Sequence, residues 1–386
     1  MARRVHVTIC EEYDLGRIRE QVREHLDRYP KFDGIEGKKI LLKPNLLSAT
    51  ESEKAVTTHP TFLKAVILEL RDRGASVIVA DSPGGAFTEA SLKKLYDGTG
   101  ISRIIDETGA ELNYNTASRE VKHPEGRFTK SFLVCDYLND ADLIIALPKI
   151  KTHMLCGLTC ASKVMFGIVP GTEKVKYHTR FPDYLDFTKV LLDLDDMVGT
   201  DLFLVDGIIG MDGKGPAQGR PRKVGTILSG TDHLAIDLHV CRMVGLDPEK
   251  IGIFQAAMEQ DRIDADEELT ITGDGRDFRL KERFKPSSGG IGNLLVPGPI
   301  RRTLINLTAS KPKISHTKCV GCGICRQNCA GDAIRIKNKK ARITYSKCIR
   351  CYCCHELCPH DAVYVNFRDT GVLNRLIDIG YRIFTR

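Results

Sequence analysis

The chain has 386 residues, 42% hydrophobic and 28% charged, with a formal net charge of +7. That length predicts two domains, because a single core stops growing at roughly 250–300 residues. No apolar run reaches the roughly 18–20 residues of a membrane span. The opening MARRVHVTICEEYDLGRI meets a cysteine and two glutamates before an apolar signal core forms, so the reading is a cytoplasmic protein without transmembrane segment or secretory signal.

Up to about residue 285, short apolar runs alternate with amphipathic stretches, the pattern of a mostly parallel sheet with helices on both faces. Strands are predicted at 38–43, 76–81, 142–148, 201–206, 224–230 and 269–274. Helices are predicted at 60–73, 88–97, 101–108, 183–198, 233–244 and 248–259. Thr231 and Asp232 precede the fifth helix as cap residues. Asp247 and Pro248 do the same for the sixth, with proline at the first helical position.

Ligands of open α/β sheets sit beyond the carboxyl ends of the strands. Those ends read Lys43-Pro44-Asn45, then Asp81-Ser82-Pro83-Gly84-Gly85, then Pro148 followed by Lys149, Lys151 and His153, and finally Asp206-Gly207 leading to Gly213 and Gly215. Lys163, Lys174 and His178 follow the third of these ends. Each residue alone reads more simply as a solvated charge or a turn. Four polar ends converging at one sheet edge predict an anion site built from ammonium groups and backbone N–H. The glycines at 207–219 match neither the P-loop nor the dinucleotide-binding context, so neither ATP nor NAD follows.

From Lys285 to Pro312 the chain is rich in Gly, Ser and Pro, which places a boundary there: residues 1–300 form the α/β domain, 311–367 a cysteine module, and 368–386 an amphipathic tail expected to pack on its own protein, with membrane-surface binding as the alternative. Of 14 cysteines, eight form one array: Cys319-x2-Cys322-x2-Cys325-x3-Cys329, then Cys348-x2-Cys351-x2-Cys354-x3-Cys358. Clustered thiols in a chain of this kind mean metal, not disulfides. Three thiolates two residues apart wrap three corners of a cubane, while the fourth cysteine reaches the other cluster. Two 4Fe–4S clusters follow, one on Cys319, Cys322, Cys325 and Cys358, the other on Cys348, Cys351, Cys354 and Cys329. Cys353 is off the spacing and stays unligated. Structural zinc needs four ligands but not this repeated triple-plus-one arrangement. Between the halves, AIRIKNKKARITY reads as a hairpin.

Residues 311–367 hold 11 Lys and Arg against 3 Asp and Glu, a balance of +8, so the remaining 46 and 47 leave the rest of the chain at −1. This excess offsets the roughly −2 of each oxidised cluster, or faces an acidic redox partner. Without interleaved aromatics it does not predict nucleic-acid binding.

The cysteine array resembles the bacterial-type two-cluster ferredoxin domain, departing from it at Ala330, where a proline is usual. The pieces LLKPNLLS, His59-Pro60, ADSPGG, LPKIKTH, SKVMFGIVPG, VDGIIGMDGKGP and Asp232 to Asp237 resemble the domain-of-unknown-function 362 family, often fused to such a module. Val164 stands where relatives tend to carry asparagine. The resemblance implies an iron–sulfur protein and says more of fold than of reaction.

The fusion motivates the leading functional reading, a ferredoxin-linked oxidoreductase. A soluble carrier would supply electrons, which pass through the clusters to an anionic substrate or further organic cofactor. Lys43, Asn45, Lys149 and Lys151 would hold it, Lys163, His153 and His178 would act on it, and Asp81, Asp206, Gly213 and Gly215 would complete the site. The alternatives are an electron-transfer or assembly component whose α/β domain docks a partner protein, and a non-redox enzyme whose clusters are structural or sensing.

Overall fold

The computed structural model describes residues 3–287 and 310–365. The Gly-rich boundary and the tail therefore fall largely outside the described residues. In chain order the strands of the first part are β1 (Arg4–Ile9), β2 (Lys39–Pro44), β3 (Ser76–Val79), β4 (Glu111–Leu112), β5 (Ser118–Lys122), β6 (Ser131–Cys135), β7 (Leu143–Leu147), β8 (Lys149–His153), β9 (Gly157–Thr159), β10 (Leu202–Asp212), β11 (Arg220–Gly230) and β12 (Thr270–Thr272). All but the β5–β6 hairpin join one sheet, ordered β12-β1-β11-β10-β7-β2-β3-β4, with β8 and β9 branching from β10.

The run β10-β7-β2-β3-β4 is parallel, as are β1–β12 and β8–β10. β11 lies antiparallel to both its neighbours. Only residues 213–219 separate β10 from β11, too few for the dozen or more that a parallel crossover needs. Side chains alternate between two apolar layers, as both-face burial requires. On β2, Ile40 and Leu42 join one core and Leu41 the other; on β10, Leu202 and Leu204 join the first and Phe203 and Val205 the second.

The first core carries helices α1 (Leu15–Leu26), α2 (Pro60–Asp72), α3 (Glu89–Gly98) and α4 (Ile101–Thr108). The second carries α5 (Ala161–Val164), α7 (Tyr184–Val198), α8 (His233–Val244) and α9 (Gly252–Met258), while α6 (Glu173–Arg180) lies between α5 and α7 in the chain. Asp232 caps α8 by accepting from Ala235 N (3.0 Å). The helix expected at 248–259 is split into a 3-10 turn, Pro248–Lys250, and α9. Ile251 is extended between them, and Gly252 N donates to Cys156 O (3.1 Å).

In the cysteine module, β13 (Pro312–Ile314) pairs with β16 (Val363–Val365), and β14 (Ile334–Lys337) with β15 (Lys340–Ile343). Asn338 and Lys339 turn that hairpin with φ of 53° and 55°, the left-handed pair of a type I′ turn. The module docks on the α/β sheet. Gln218 Nε2 donates to His355 O and Val363 O, both at 3.0 Å. Thr179 Oγ1 donates to Ala330 O (3.0 Å). Leu357 packs so tightly on Gly84 that a Cβ there would lie 2.7 Å from Leu357 Cδ2.

The short helix α5 is aimed from beneath. Asp237 on α8 accepts from Ala161 N (2.8 Å) and Ser162 N (3.0 Å), holding the first turn that presents Lys163. Removing the carboxyl leaves two buried N–H groups without an acceptor, at about 1–3 kcal/mol each. Asp237→Ala is therefore expected to lower the urea midpoint by an amount worth at least about 1 kcal/mol, with Asp237→Asn less harmful. An unchanged midpoint for the alanine variant would show that α5 is held otherwise.

Candidate functional site

A cavity of about 730 Å³ lies where the α/β sheet meets the cysteine module. Its sheet side is built by Lys43 at the end of β2, Asp81 and Ser82 beyond β3, and His153 at the end of β8. Lys163 of α5 and Lys174 and His178 of α6 line it as well. Asn328, Cys353, Glu356 and Leu357 of the module close it.

The cations differ in how their donors are used. Lys43 Nζ pairs with Asp81 Oδ1 (2.9 Å) and donates to Pro44 O (2.7 Å). Asp81 also accepts from Leu46 N and Ser82 N, both at 2.8 Å. This pair lies against backbone: a Cβ on Gly167 would meet Asp81 Oδ1 at 2.3 Å and Lys43 Nζ at 2.4 Å. Lys174 Nζ donates to Ser82 O (2.8 Å), Ser82 Oγ (3.2 Å) and Val169 O. An ammonium has three donors, so Lys174 has none to spare. Burial brings its pKa down to about 7. Lys163 makes no hydrogen bond or ion pair among the described residues, and its Nζ stands 5.7 Å from the centroid of the Phe166 ring.

His153 Nδ1 accepts from Leu155 N (3.1 Å) and Cys156 N (3.2 Å), so a neutral ring carries its proton on Nε2. That atom lies 3.2 Å from Glu356 Oε1, out of line for a hydrogen bond. Burial first, then Lys163 and other cations, hold His153 well below the usual histidine range. His178 stacks on Phe187 (centroids 4.2 Å apart), and burial with Lys163 brings it down to about 3. Both rings are thus neutral at pH 7.

Lys149, Lys151, Asp206, Gly213 and Gly215, also singled out by sequence, do not line this cavity. Lys149 is fully buried and pairs with Asp206 Oδ2 (2.8 Å) and Tyr13 OH (2.6 Å). Asp206 also accepts from Tyr13 OH and from His59 N, and His59 stacks on Tyr13 at 3.6 Å. Lys151 donates to Asn45 Oδ1 (2.8 Å) and Val56 O (2.7 Å), with burial as the main cause of a pKa of about 7. Of this pair, Asn45 reaches the cavity wall. Gly213 N donates to Lys285 O (2.9 Å), and a Cβ on Gly215 would lie 2.1 Å from Thr152 O. These two glycines shape the β10–β11 connection.

The eight array cysteines ring two further cavities of about 340 Å³ each. One is lined by Cys319, Cys322, Cys325 and Cys358, the other by Cys329, Cys348, Cys351 and Cys354. The two loops share a shape: φ is positive at Gly321 and Gly323, and again at Arg350 and Tyr352 two places apart. Backbone N–H groups point at sulfur, Ala333 N to Cys329 Sγ (3.1 Å), Ala362 N to Cys358 Sγ (3.3 Å) and Ala341 N to Cys319 Sγ (3.4 Å), the kind of contact that tunes a cluster's potential. Among the described residues no three His, Cys, Asp or Glu converge on a single ion. A tetrahedral zinc would hold sulfurs roughly 3.8 Å apart, from a Zn–S bond of about 2.3 Å. A ring of cysteines around a void suits a cubane better. Cys353 belongs to neither ring and lines the interdomain cavity instead.

Sequence reasoning missed Glu356. The signal for it was compositional, since it is one of only 3 acidic residues in a module otherwise basic, and its side chain is only 12% exposed.

Residues 40–242 match the family described as Domain of unknown function (DUF362), over more than half of the chain. The chain belongs to this family. In this DUF362 protein residues 311–359 also match a 4Fe-4S dicluster domain, so the C-terminal module is an iron–sulfur, electron-transfer module. The chain is 28% identical over 265 residues to a thylakoid-associated protein of Synechocystis sp., covering 66% of this chain and 79% of that one. Among solved structures, the lactate racemase apoprotein of Thermoanaerobacterium thermosaccharolyticum is similar with a TM-score of 0.38 at 11% identity, over 60% of this chain and 55% of that chain. A Thermotoga maritima protein is similar with a TM-score of 0.34 at 14% identity, over 54% and 53%. The chain thus spans about half of each. Among the described residues no helix is long and apolar enough to cross a membrane.

Anaerobic reconstitution is expected to give about eight iron and eight sulfide per chain, from two complete quartets. Cys353→Ser is expected to keep that content and Cys351→Ser to lose about half of it, measured by iron assay and absorbance near 400 nm. Loss of iron in the Cys353 variant would put that thiol among the ligands.

Proposed function

We propose that this protein is an iron–sulfur oxidoreductase whose two 4Fe–4S clusters pass single electrons to an anionic substrate or cofactor in the interdomain cavity. One observation carries this reading. The cavity is lined jointly by the polar strand ends of the sheet and by the helical turn Cys353–Glu356, which also bears the quartet cysteine Cys354. A ligand there would lie against both the anion-binding side chains and the electron carrier. The clusters would supply electrons one at a time.

The chain's own residues would do the rest. Lys163 has all its donors free among the described residues, so it would make the main contact with the anionic group. Lys43 has one donor beyond its bonds to Asp81 and Pro44 and would add a second contact. Lys174, with its donors committed, would contribute field rather than a hydrogen bond. His153 would present its Nε2–H to the ligand as a donor, held in that tautomer by Leu155 N and Cys156 N. Being neutral at pH 7, neither histidine would serve as the acid of the reaction. Docking of the module over the cavity would exclude water, which strengthens each of these charge contacts.

Lys163→Gln is the informative change, because that ammonium makes no hydrogen bond or ion pair among the described residues. A charge-assisted hydrogen bond is worth about 1.5–3 kcal/mol, so binding of the small molecule that co-purifies anaerobically is expected to weaken roughly ten- to a hundredfold. Iron content and melting temperature are expected to stay unchanged. Mass spectrometry of molecules released from the wild type and the variant reads this directly. Equal retention of the same anion by both, or no bound anion in either, would overturn the reading.

A further inference from the structure

Of the 14 cysteines, Cys322 alone is exposed. It belongs to the Cys319 quartet, not to the one whose Cys354 shares the helical turn Cys353–Glu356 with the interdomain cavity. Next to it Val320 is 56% exposed, a large apolar side chain at the rim of the Cys319–Cys325 loop. Lysines surround this spot. Lys318 precedes Cys319 and is exposed. Lys339, also exposed, has its carbonyl 2.5 Å from where a Cβ on Gly321 would stand. Lys340 Nζ donates to Cys319 O (2.6 Å). None of these three lysines makes an ion pair among the described residues. The pattern is that of a small docking patch, apolar at its centre and charged at its rim.

We propose that this face is the docking surface for an acidic one-electron carrier protein and the entrance of the electron path. At the Cys322 edge the carrier loses one electron and the iron–sulfur group of the Cys319 quartet gains it, with no bond or proton exchanged. The second quartet and then the cavity lie further along the same module. Charge complementarity selects the partner, because the module's side chains carry +8, which two oxidised clusters of roughly −2 each reduce to about +4, while the rest of the chain is close to neutral. An anionic membrane would meet the same lysines, but it has no use for an exposed cluster ligand at the centre of the patch. The proposal extends the proposed electron path outward, and its test reads docking without turnover, so it fails or holds separately from the identity of the cavity's ligand.

The experiment measures binding of oxidised bacterial flavodoxin, an acidic carrier, to the reconstituted full chain by fluorescence anisotropy. Saturable binding is expected at an ionic strength of about 0.05 M, weakening by at least about tenfold near 0.5 M as screening shortens. Lys318→Glu/Lys339→Glu is expected to weaken it by roughly tenfold or more, through like-charge contact across the interface. Lys93→Glu/Lys94→Glu, an equal charge change on exposed α3, is expected to leave it unaltered. Should the first variant lose iron, Lys318→Gln/Lys339→Gln carries the same test with a smaller effect. Equal weakening by both charge reversals, full binding by the patch variants, or binding to phosphatidylglycerol vesicles in place of flavodoxin would overturn the proposal.

Discussion

Positive charge taken out of water has to be matched, and the polar edge of this sheet is organised around that requirement. Lys43 is matched by Asp81, and Lys149 by Asp206. Lys151 and Lys174 are matched only by neutral oxygens, and burial brings both down to about 7. Lys163 makes no hydrogen bond or ion pair among the described residues, and its charge adds to burial in depressing His153 and His178. Glu356, contributed by the other module, is a further carboxylate lining this cavity. On the proposed reading, an arriving anion would offset the charges of Lys163 and Lys174, which line the cavity and have no carboxylate partner among the described residues.

The same requirement explains why the two parts of the chain are joined face to face. The module supplies the wall that the sheet edge lacks, through Asn328, Cys353, Glu356 and Leu357. Gly84 has no side chain where Leu357 needs the space, and Gly167 has none where the Lys43–Asp81 pair needs it. On the proposed reading, the turn Cys353–Glu356 serves two purposes at once, holding a cluster through Cys354 and facing the ligand through its other side.

Much of the fold was legible because both-face burial writes itself as short apolar runs: β2, β3, β7 and α2 lie where the sequence reading placed them, within a residue or two. β1 and α1 were not read, although RVHVTI alternates as a strand does and Leu15, Ile18, Val22 and Leu26 fall at helical spacing. β8 was read as a strand end rather than a strand. It pairs with β10 instead of continuing β7, and no local pattern announces a change of partner. For the site, proximity in sequence misled. Lys149 and Lys151 are two apart on one strand, yet one pairs with Asp206 and the other with Asn45, and only His153 beyond them reaches the cavity. Lys163 and His178 come to it because α5 and α6 fold over the sheet edge. The contribution of Glu356 depends on docking between modules, which no single segment encodes.

The central claim is that the cavity lies against one cluster and away from the other. Potentiometric titration of the reconstituted chain followed by electron paramagnetic resonance tests it with Lys163→Gln. Loss of a positive charge near an iron–sulfur centre disfavours its reduced, more negative state. The account predicts that the variant lowers the midpoint of one cluster and leaves the other where it was. Identical midpoints for both clusters in the variant and the wild type would contradict it.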